Sequence, residues 1–221
     1  MEKQAGIPLE VKRPRRGGRA RAAHLGPERR RPLILDAALE VYVEHGYKGT
    51  SMQAVADAAG VTKPVVYECF PNKDELLLAL LDREERRLLG AITESLPSNL
   101  VSDNVEAVLA AGLTAFLTGA GQAPNSWRVV FDSGWGSGSV VAERVRRVRE
   151  LVVGQLRELV SQYMVADGVD AIDRKAPVVA EMIAAVSESC ARMLVVEDHP
   201  WTAAELATYV ARLLARGLRP S

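Results

Sequence analysis

The residues best equipped to do chemistry lie close together, in T-S-M-Q-A-V-A-D-A-A-G-V-T-K-P-V-V-Y-E-C-F-P-N-K-D from Thr50 to Asp74. Lys63, Pro64, Val65 and Tyr67 combine a cationic donor, two small apolar groups and a phenol within five residues. That set suits the base edges and backbone of DNA. The competing reading is a helical hairpin packed inside a globular protein, but the second helix is too short to serve as much of a core element. Enzyme chemistry finds no comparable grouping. His24, His45 and His199 are far apart, and no His, Cys or carboxylate spacing matches a metal site. Ser187 and Ser189 have no base nearby in sequence and no nucleophile elbow around them. Gly134, Gly136 and Gly138 lack the preceding strand and following Lys of a phosphate loop, so that run reads as a flexible connection. No catalytic residue, metal or cofactor is expected.

Local rules explain how those residues are held. Ser51 is a suitable N-cap, and Val55, Ala56 and Ala59 then recur on one helical face. Gly60 supplies the left-handed turn, and Val61 points back as a plug. Thr62 caps a second helix with Pro64 in its first turn, where a missing N–H costs nothing. Val66 and Phe70 form its inner face, and Pro71 stops it. Asn72 caps a third helix whose first turn carries Asp74 and Glu75, favoured there by the dipole. Two short helices around a glycine turn describe a helix-turn-helix, whose second helix enters the major groove.

The formal net charge of zero conceals a division. Residues 1–31 hold ten Lys or Arg against three Glu, and the remaining chain is acidic by the same margin. This suggests a basic nucleic-acid-binding arm on an acidic body. The arm has like charges, Gly and Pro but almost no apolar periodicity, and is expected to be disordered alone. Arg13, Arg15, Arg16, Arg19 and Arg21 either follow a minor groove or phosphates, with steep salt dependence, or belong to a solubilising tail.

From Ile34-Leu35-Asp36-Ala37-Ala38 through Gly46-Tyr47, Thr50-Ser51, Ala56, Ala59-Gly60-Val61, Tyr67 and Phe70 to Lys73-Asp74-Glu75-Leu76, the chain resembles the tetracycline-repressor-like (TetR-type) bacterial regulators. The resemblance implies an all-α fold: a three-helix DNA-binding domain, then a larger helical ligand-binding and dimerisation domain. It places Lys63, Pro64 and Val65 against base edges, Lys63 donating to guanine and the other two touching thymine methyls. Thr62, Tyr67, Lys73 and Ser51 would hold phosphates. Where relatives often have basic, His or aromatic residues, this chain has Glu68 and Cys69, and Glu68 would repel phosphate.

Three parts follow: an arm at 1–31, a DNA-binding domain at 32–76 and a larger helical domain at 77–221. A first helix is predicted from near Pro32 to about His45, with Gly46 ending it. Helix 4 begins at Asn72 and runs past Leu88, with D-R-E-E-R-R read as a solvated outer face. This helix belongs to both domains and is the natural lever between them. Further helices are read at 103–117, 126–131, 140–165, 174–196 and 202–217. In the 140–165 helix, Val141, Val145, Val148, Val152, Leu156, Leu159 and Tyr163 are expected inward, and its arginines are expected in surface ion pairs. An effector pocket, implied mainly by the resemblance, draws on Phe116, Trp127, Phe131, Trp135, Tyr163, Met182, Val186 and Met193, although such residues are more often core. A homodimer interface draws on Ile183, Cys190, Leu206, Tyr209, Val210 and Leu213, or these complete the core of one protomer. The two cysteines are not expected to pair, and no membrane span or secretory signal is expected, which fits the cytoplasm.

The function this reading supports is a repressor released from operator DNA by a small apolar or weakly polar effector. The alternatives are a ligand-independent architectural DNA binder, and a metabolite-binding protein or enzyme with an incidental helix-turn-helix.

Overall fold

The computed structural model describes residues 26–95, 104–131, 139–196 and 199–217. The described residues form nine helices and no strand: α1 (Pro27–Gly49), α2 (Met52–Ala59), α3 (Lys63–Cys69), α4 (Lys73–Ser95), α5 (Val105–Gln122), α6 (Pro124–Phe131), α7 (Val140–Ala166), α8 (Ile172–Val196) and α9 (Ala203–Gly217). The arginines at 13–21, Trp135 and the glycines at 134–138 lie outside the described residues.

Helix α1 starts five residues before the predicted position, with Pro27 in its first turn and Pro32 inside it. Its α-helical path ends where expected, because Gly46 takes φ +66° and kinks the chain. Thr50, buried, closes the bend by donating from its N–H and its hydroxyl to the Gly46 carbonyl, at 3.1 and 2.8 Å. Ile34, Ala37, Ala38, Val41 and Tyr42 of α1, Met52, Val55 and Ala56 of α2, Val66 and Cys69 of α3, and the following Phe70 make the core of the head. Burial of these side chains drives a unit in which α2 and α3 are too short to persist alone.

Helix α4 leaves that head and enters the larger body. Leu76, Leu77, Leu80, Leu81 and Leu88 are buried along it, facing α5, α6 and α1. Gly119 of α5 lies against α4 so closely that a Cβ there would sit 2.7 Å from the Ile92 backbone nitrogen. Helix α5 has the length and apolarity of a membrane-spanning helix, yet α4, α8 and α9 pack on it.

Two expectations fail in the body. Glu84, read as part of a solvated face, is wholly buried because α6 packs on that side of α4. Val152 and Leu159, read as inward, are exposed, since α7 packs on α8 and on α4 and the rest of its circumference is open. The α7 arginines also do more than pair locally. Arg149 reaches Glu181 at 2.7 Å and Glu188 at 2.9 Å on α8, and Arg144 reaches Asp82 and Glu85 on α4 at 3.3 and 3.2 Å. The Glu181 hydrogen bond foremost, with the Glu188 charge, raises the Arg149 pKa above its ordinary value against the effect of burial.

Candidate DNA interface

The recognition segment is built by capping and by one glycine. Ser51 Oγ accepts the Ala54 N–H at 3.1 Å, starting α2. Gly60 at φ +66° ends it, and its N–H returns to the Asp57 carbonyl at 3.2 Å. A side chain at that φ would be strained, so the turn requires glycine. Thr62 is the N-cap of α3 by backbone conformation, without a side-chain cap bond, and its exposed hydroxyl therefore remains available.

Helix α3 is two-faced. Val66, Cys69 and the following Phe70 are buried against the head, while Thr62, Lys63, Pro64 and Tyr67 are exposed and Val65 is half-buried. Lys63 Nζ lies 5.9 Å from the Tyr67 ring centroid, so the cation and the phenol share one outward patch. Ser51 is exposed at the start of α2. Asn72 Oδ1 accepts the Glu75 N–H at 2.8 Å and fixes the start of α4.

Lys73 is held by the protein itself. Its Nζ donates to the Tyr47 carbonyl at 2.7 Å and sits 4.1 Å from the Tyr47 ring centroid. Partial burial holds its pKa below the ordinary lysine value, with Asp74 acting in the opposite sense.

Sequence reasoning missed the partners of the far end of α3. Arg30 Nη1 meets Glu68 Oε2 at 2.9 Å. Arg31 Nη1 donates to the Cys69 carbonyl at 2.6 Å, and its guanidinium carbon lies 4.3 Å from the Phe70 ring centroid. A cation at a helix C-terminus complements the dipole, and a paired Glu68 presents less charge to a phosphate. The signal in the sequence was the R-R-R before Pro32, which reads there as part of the basic arm.

Residues 34–80 match the family described as bacterial regulatory proteins, tetR family. The HTH-type transcriptional activator FasR of Mycolicibacterium smegmatis is 32% identical over 184 residues, 83% of this chain and 80% of that protein. This chain belongs to the tetR family. It is a DNA-binding transcriptional regulator. The HTH-type transcriptional repressor KstR of Mycobacterium tuberculosis is 42% identical over 59 residues, 27% of each chain. Among solved structures, a TetR-like regulator from Rhodococcus sp. RHA1 superposes with a TM-score of 0.67 at 25% identity, covering 88% of this chain and 98% of that one. FadR of Bacillus subtilis, solved in complex with stearoyl-CoA, shares the fold at a TM-score of 0.66 and 18% identity, over 85% and 99% of the two chains.

The body of this tetR-family regulator brings some predicted pocket residues together. Trp127 stacks on Phe131 at 5.6 Å between centroids, and Phe116 meets Phe131 edge-on at 6.0 Å. Trp127 is 4% exposed, and its Nε1 has no hydrogen-bond partner among the described residues. Val186, Met193 and Tyr163 are half-buried. Met182 is exposed and lines no interior of the protomer: Ala176, Ala180, Ile183 and Ala184 fix the buried face of α8, and Met182 falls off it.

Of the predicted dimer residues, Ile183, Cys190, Leu206 and Val210 are buried within the protomer. Tyr209 and Leu213, one turn apart on α9, are 51% and 53% exposed. Trp201 packs on Tyr209 at 5.6 Å between centroids. Burial raises the thiol pKa of Cys190, and that of Cys69 against the opposing charges of Arg30 and Arg31.

Proposed function

We propose that this protein is a homodimeric repressor that reads an operator through α3 and is released by an apolar or weakly polar effector bound in its body. The observation that carries the reading is the outward face Lys63–Tyr67 on a helix whose other face is buried. Lys63 donates to guanine, Pro64 and Val65 meet thymine methyls, and Thr62, Tyr67, Ser51 and Lys73 hold phosphates. Arg30 ties the start of α1 to α3 through Glu68, and the basic stretch with Arg13, Arg15, Arg16, Arg19 and Arg21 adds phosphate contacts. The protein acts in the cytoplasm, where its operator lies, and has no enzymatic role.

The effector's apolar part meets Phe116, Trp127 and Phe131, and a carbonyl or hydroxyl oxygen accepts from Trp127 Nε1. A second copy packs against Tyr209 and Leu213, pairing two recognition helices about one helical turn of DNA apart, ~34–36 Å. The test is selection of bound sequences from random duplexes. A palindrome with half-sites spaced by about one turn supports the reading. Sequence-independent recovery supports an architectural binder instead. Activation is the second reading, because the relative matching most of the chain is named an activator. A reporter driven by the selected operator separates the two by its sign.

A further inference from the structure

Glu84 is a carboxylate with no exposed surface, placed where α1, α4 and α6 meet. Burying such a charge is costly unless both oxygens find partners. Both do. Ser126 Oγ of α6 donates to Oε2 at 2.6 Å. Arg83 Nε donates to Oε1 at 2.7 Å, and Arg87 Nη1 reaches the same oxygen at 3.3 Å.

The remaining nitrogens of Arg83 point the other way, into the DNA-binding head. Nη1 meets Asp36 Oδ1 at 2.7 Å and the Pro32 carbonyl at 3.4 Å, and Nη2 donates to the Leu35 carbonyl at 3.1 Å. A guanidinium is planar, with its donors in a fixed fork. Its edge on Glu84 therefore sets the angle of its edge on α1. Helix α1 in turn carries α2 and α3, and its Arg30 and Arg31 hold the end of α3.

We propose that Ser126 and Glu84 are positioning residues for DNA binding: the hydroxyl of α6 holds the carboxylate, the carboxylate orients Arg83, and Arg83 fixes the angle of the head on the body. Without the Ser126 hydroxyl, Oε2 is left unpaired at a fully buried position. The carboxylate then turns toward Arg83, and the fork loses its register on α1. Trp127, the next residue of α6, carries the unpartnered indole N–H. The effector contact proposed above, on which this one step rests, therefore acts on the helical turn that holds Ser126.

The test places nitroxide labels on the exposed positions Ala58→Cys of α2 and Glu150→Cys of α7. Labelled chains are diluted into unlabelled protein, so that one protomer carries both labels, and the distance is read by pulsed electron resonance. Ser126→Ala and the isosteric Glu84→Gln should each shift or broaden the distance. Each should also weaken operator binding by about tenfold, within the usual range of coupling between sites. Arg87→Met, which loses a bond to the same carboxylate and whose hydrogen bond is to Glu84 rather than to α1, should leave the distance unchanged. A folded Ser126→Ala protein with lowered Tm but the parent distance would overturn the proposal, leaving the network a structural one. So would an equal distance change in Arg87→Met. The distance is measured without DNA or ligand, so a failure of the operator or effector reading leaves this result standing.

Discussion

Lys73 Nζ donates to the carbonyl of Tyr47 at 2.7 Å, across 26 residues of chain, while lying over the same residue's ring. The contact joins the first residue of α4 to the bend that ends α1, closing the head around α2 and α3. It also leaves the ammonium two further protons for an anion.

Lys73 should therefore matter twice. Lys73→Ala is expected to cost about 1–2 kcal/mol of stability, from a charged hydrogen bond and a cation–π contact at a partly exposed site. It should also weaken binding to all DNA sequences alike and lower the salt slope by about 0.9. Chemical denaturation and titrations at several salt concentrations check the two parts separately. An unchanged slope would confine Lys73 to its structural contact.

Lys63 should behave differently, since its ammonium makes no hydrogen bond or ion pair among the described residues and shares the outward patch with Tyr67. Lys63→Ala should leave Tm almost unchanged and cost about 1–3 kcal/mol of discrimination at a single operator position. Competition between the selected operator and its single-base variants measures this directly. Uniform weakening across all variants would reassign Lys63 to the backbone.

Glu68 and Arg30 form a pair whose members act in opposite directions. Glu68→Gln removes a negative charge beside the proposed phosphate contacts, so affinity should rise. Arg30→Ala leaves Glu68 unpaired at the DNA, so affinity should fall several-fold, most at low salt where charges are least screened. Because Glu68 is more than half exposed, Glu68→Gln should alter stability little, whereas the mostly buried Arg30 also holds the start of α1, and Arg30→Ala should lower Tm. Filter-binding titrations of the two variants at matched ionic strength give the comparison.

These variants mark what the sequence made legible. The head could be read because its signals are local: Ser51 caps α2, Gly60 turns, Asn72 caps α4, and each involves residues within four of one another. Arg30–Glu68 and Arg31–Cys69 span 38 residues, and no periodicity announces them. Glu84 was misread for the same reason. Its charged neighbours on α4 suggested a solvated face, and of the partners that make its burial tolerable, Arg83, Arg87 and Ser126, the last lies 42 residues away. Val152 and Leu159 erred in the opposite sense, because an apolar stripe shows that a helix can be covered and not by what. Pro32 misplaced the start of α1. One lost N–H near the helix end is offset here by the contacts Arg30 and Arg31 make from the preceding turn.

The crossing of α4 and α5 gives a sharp stability prediction. A methyl at Gly119 would lie 2.7–2.8 Å from the backbone nitrogen and Cα of Ile92, where no side-chain rotation relieves it. Gly119→Ala should therefore destabilise by about 1–3 kcal/mol despite alanine's better helix propensity. By contrast, Gly112 has open space around its Cβ position on the same helix, and Gly112→Ala should stabilise by a few tenths to about 1 kcal/mol. Thermal unfolding of both variants settles the sign.

The exposed side of α9 leads to the last prediction. Leu206, Ala207, Val210 and Ala211 are buried in the protomer, so substitutions there would damage folding and assembly together. Tyr209 and Leu213 are about half exposed and one turn apart, which separates the two effects. Leu213→Glu places a charge where a second copy is proposed to pack, and a charge buried there without a partner is strongly unfavourable. The protomer should keep its helical signal and most of its Tm, while sedimentation moves from dimer to monomer at micromolar concentration. Operator affinity should then fall toward that of a single half-site, because two linked contacts gain from effective concentration and one does not. A Leu213→Glu protein that still sediments as a dimer would place the interface elsewhere, with Val178 and Met182 of α8 the next exposed apolar residues to substitute.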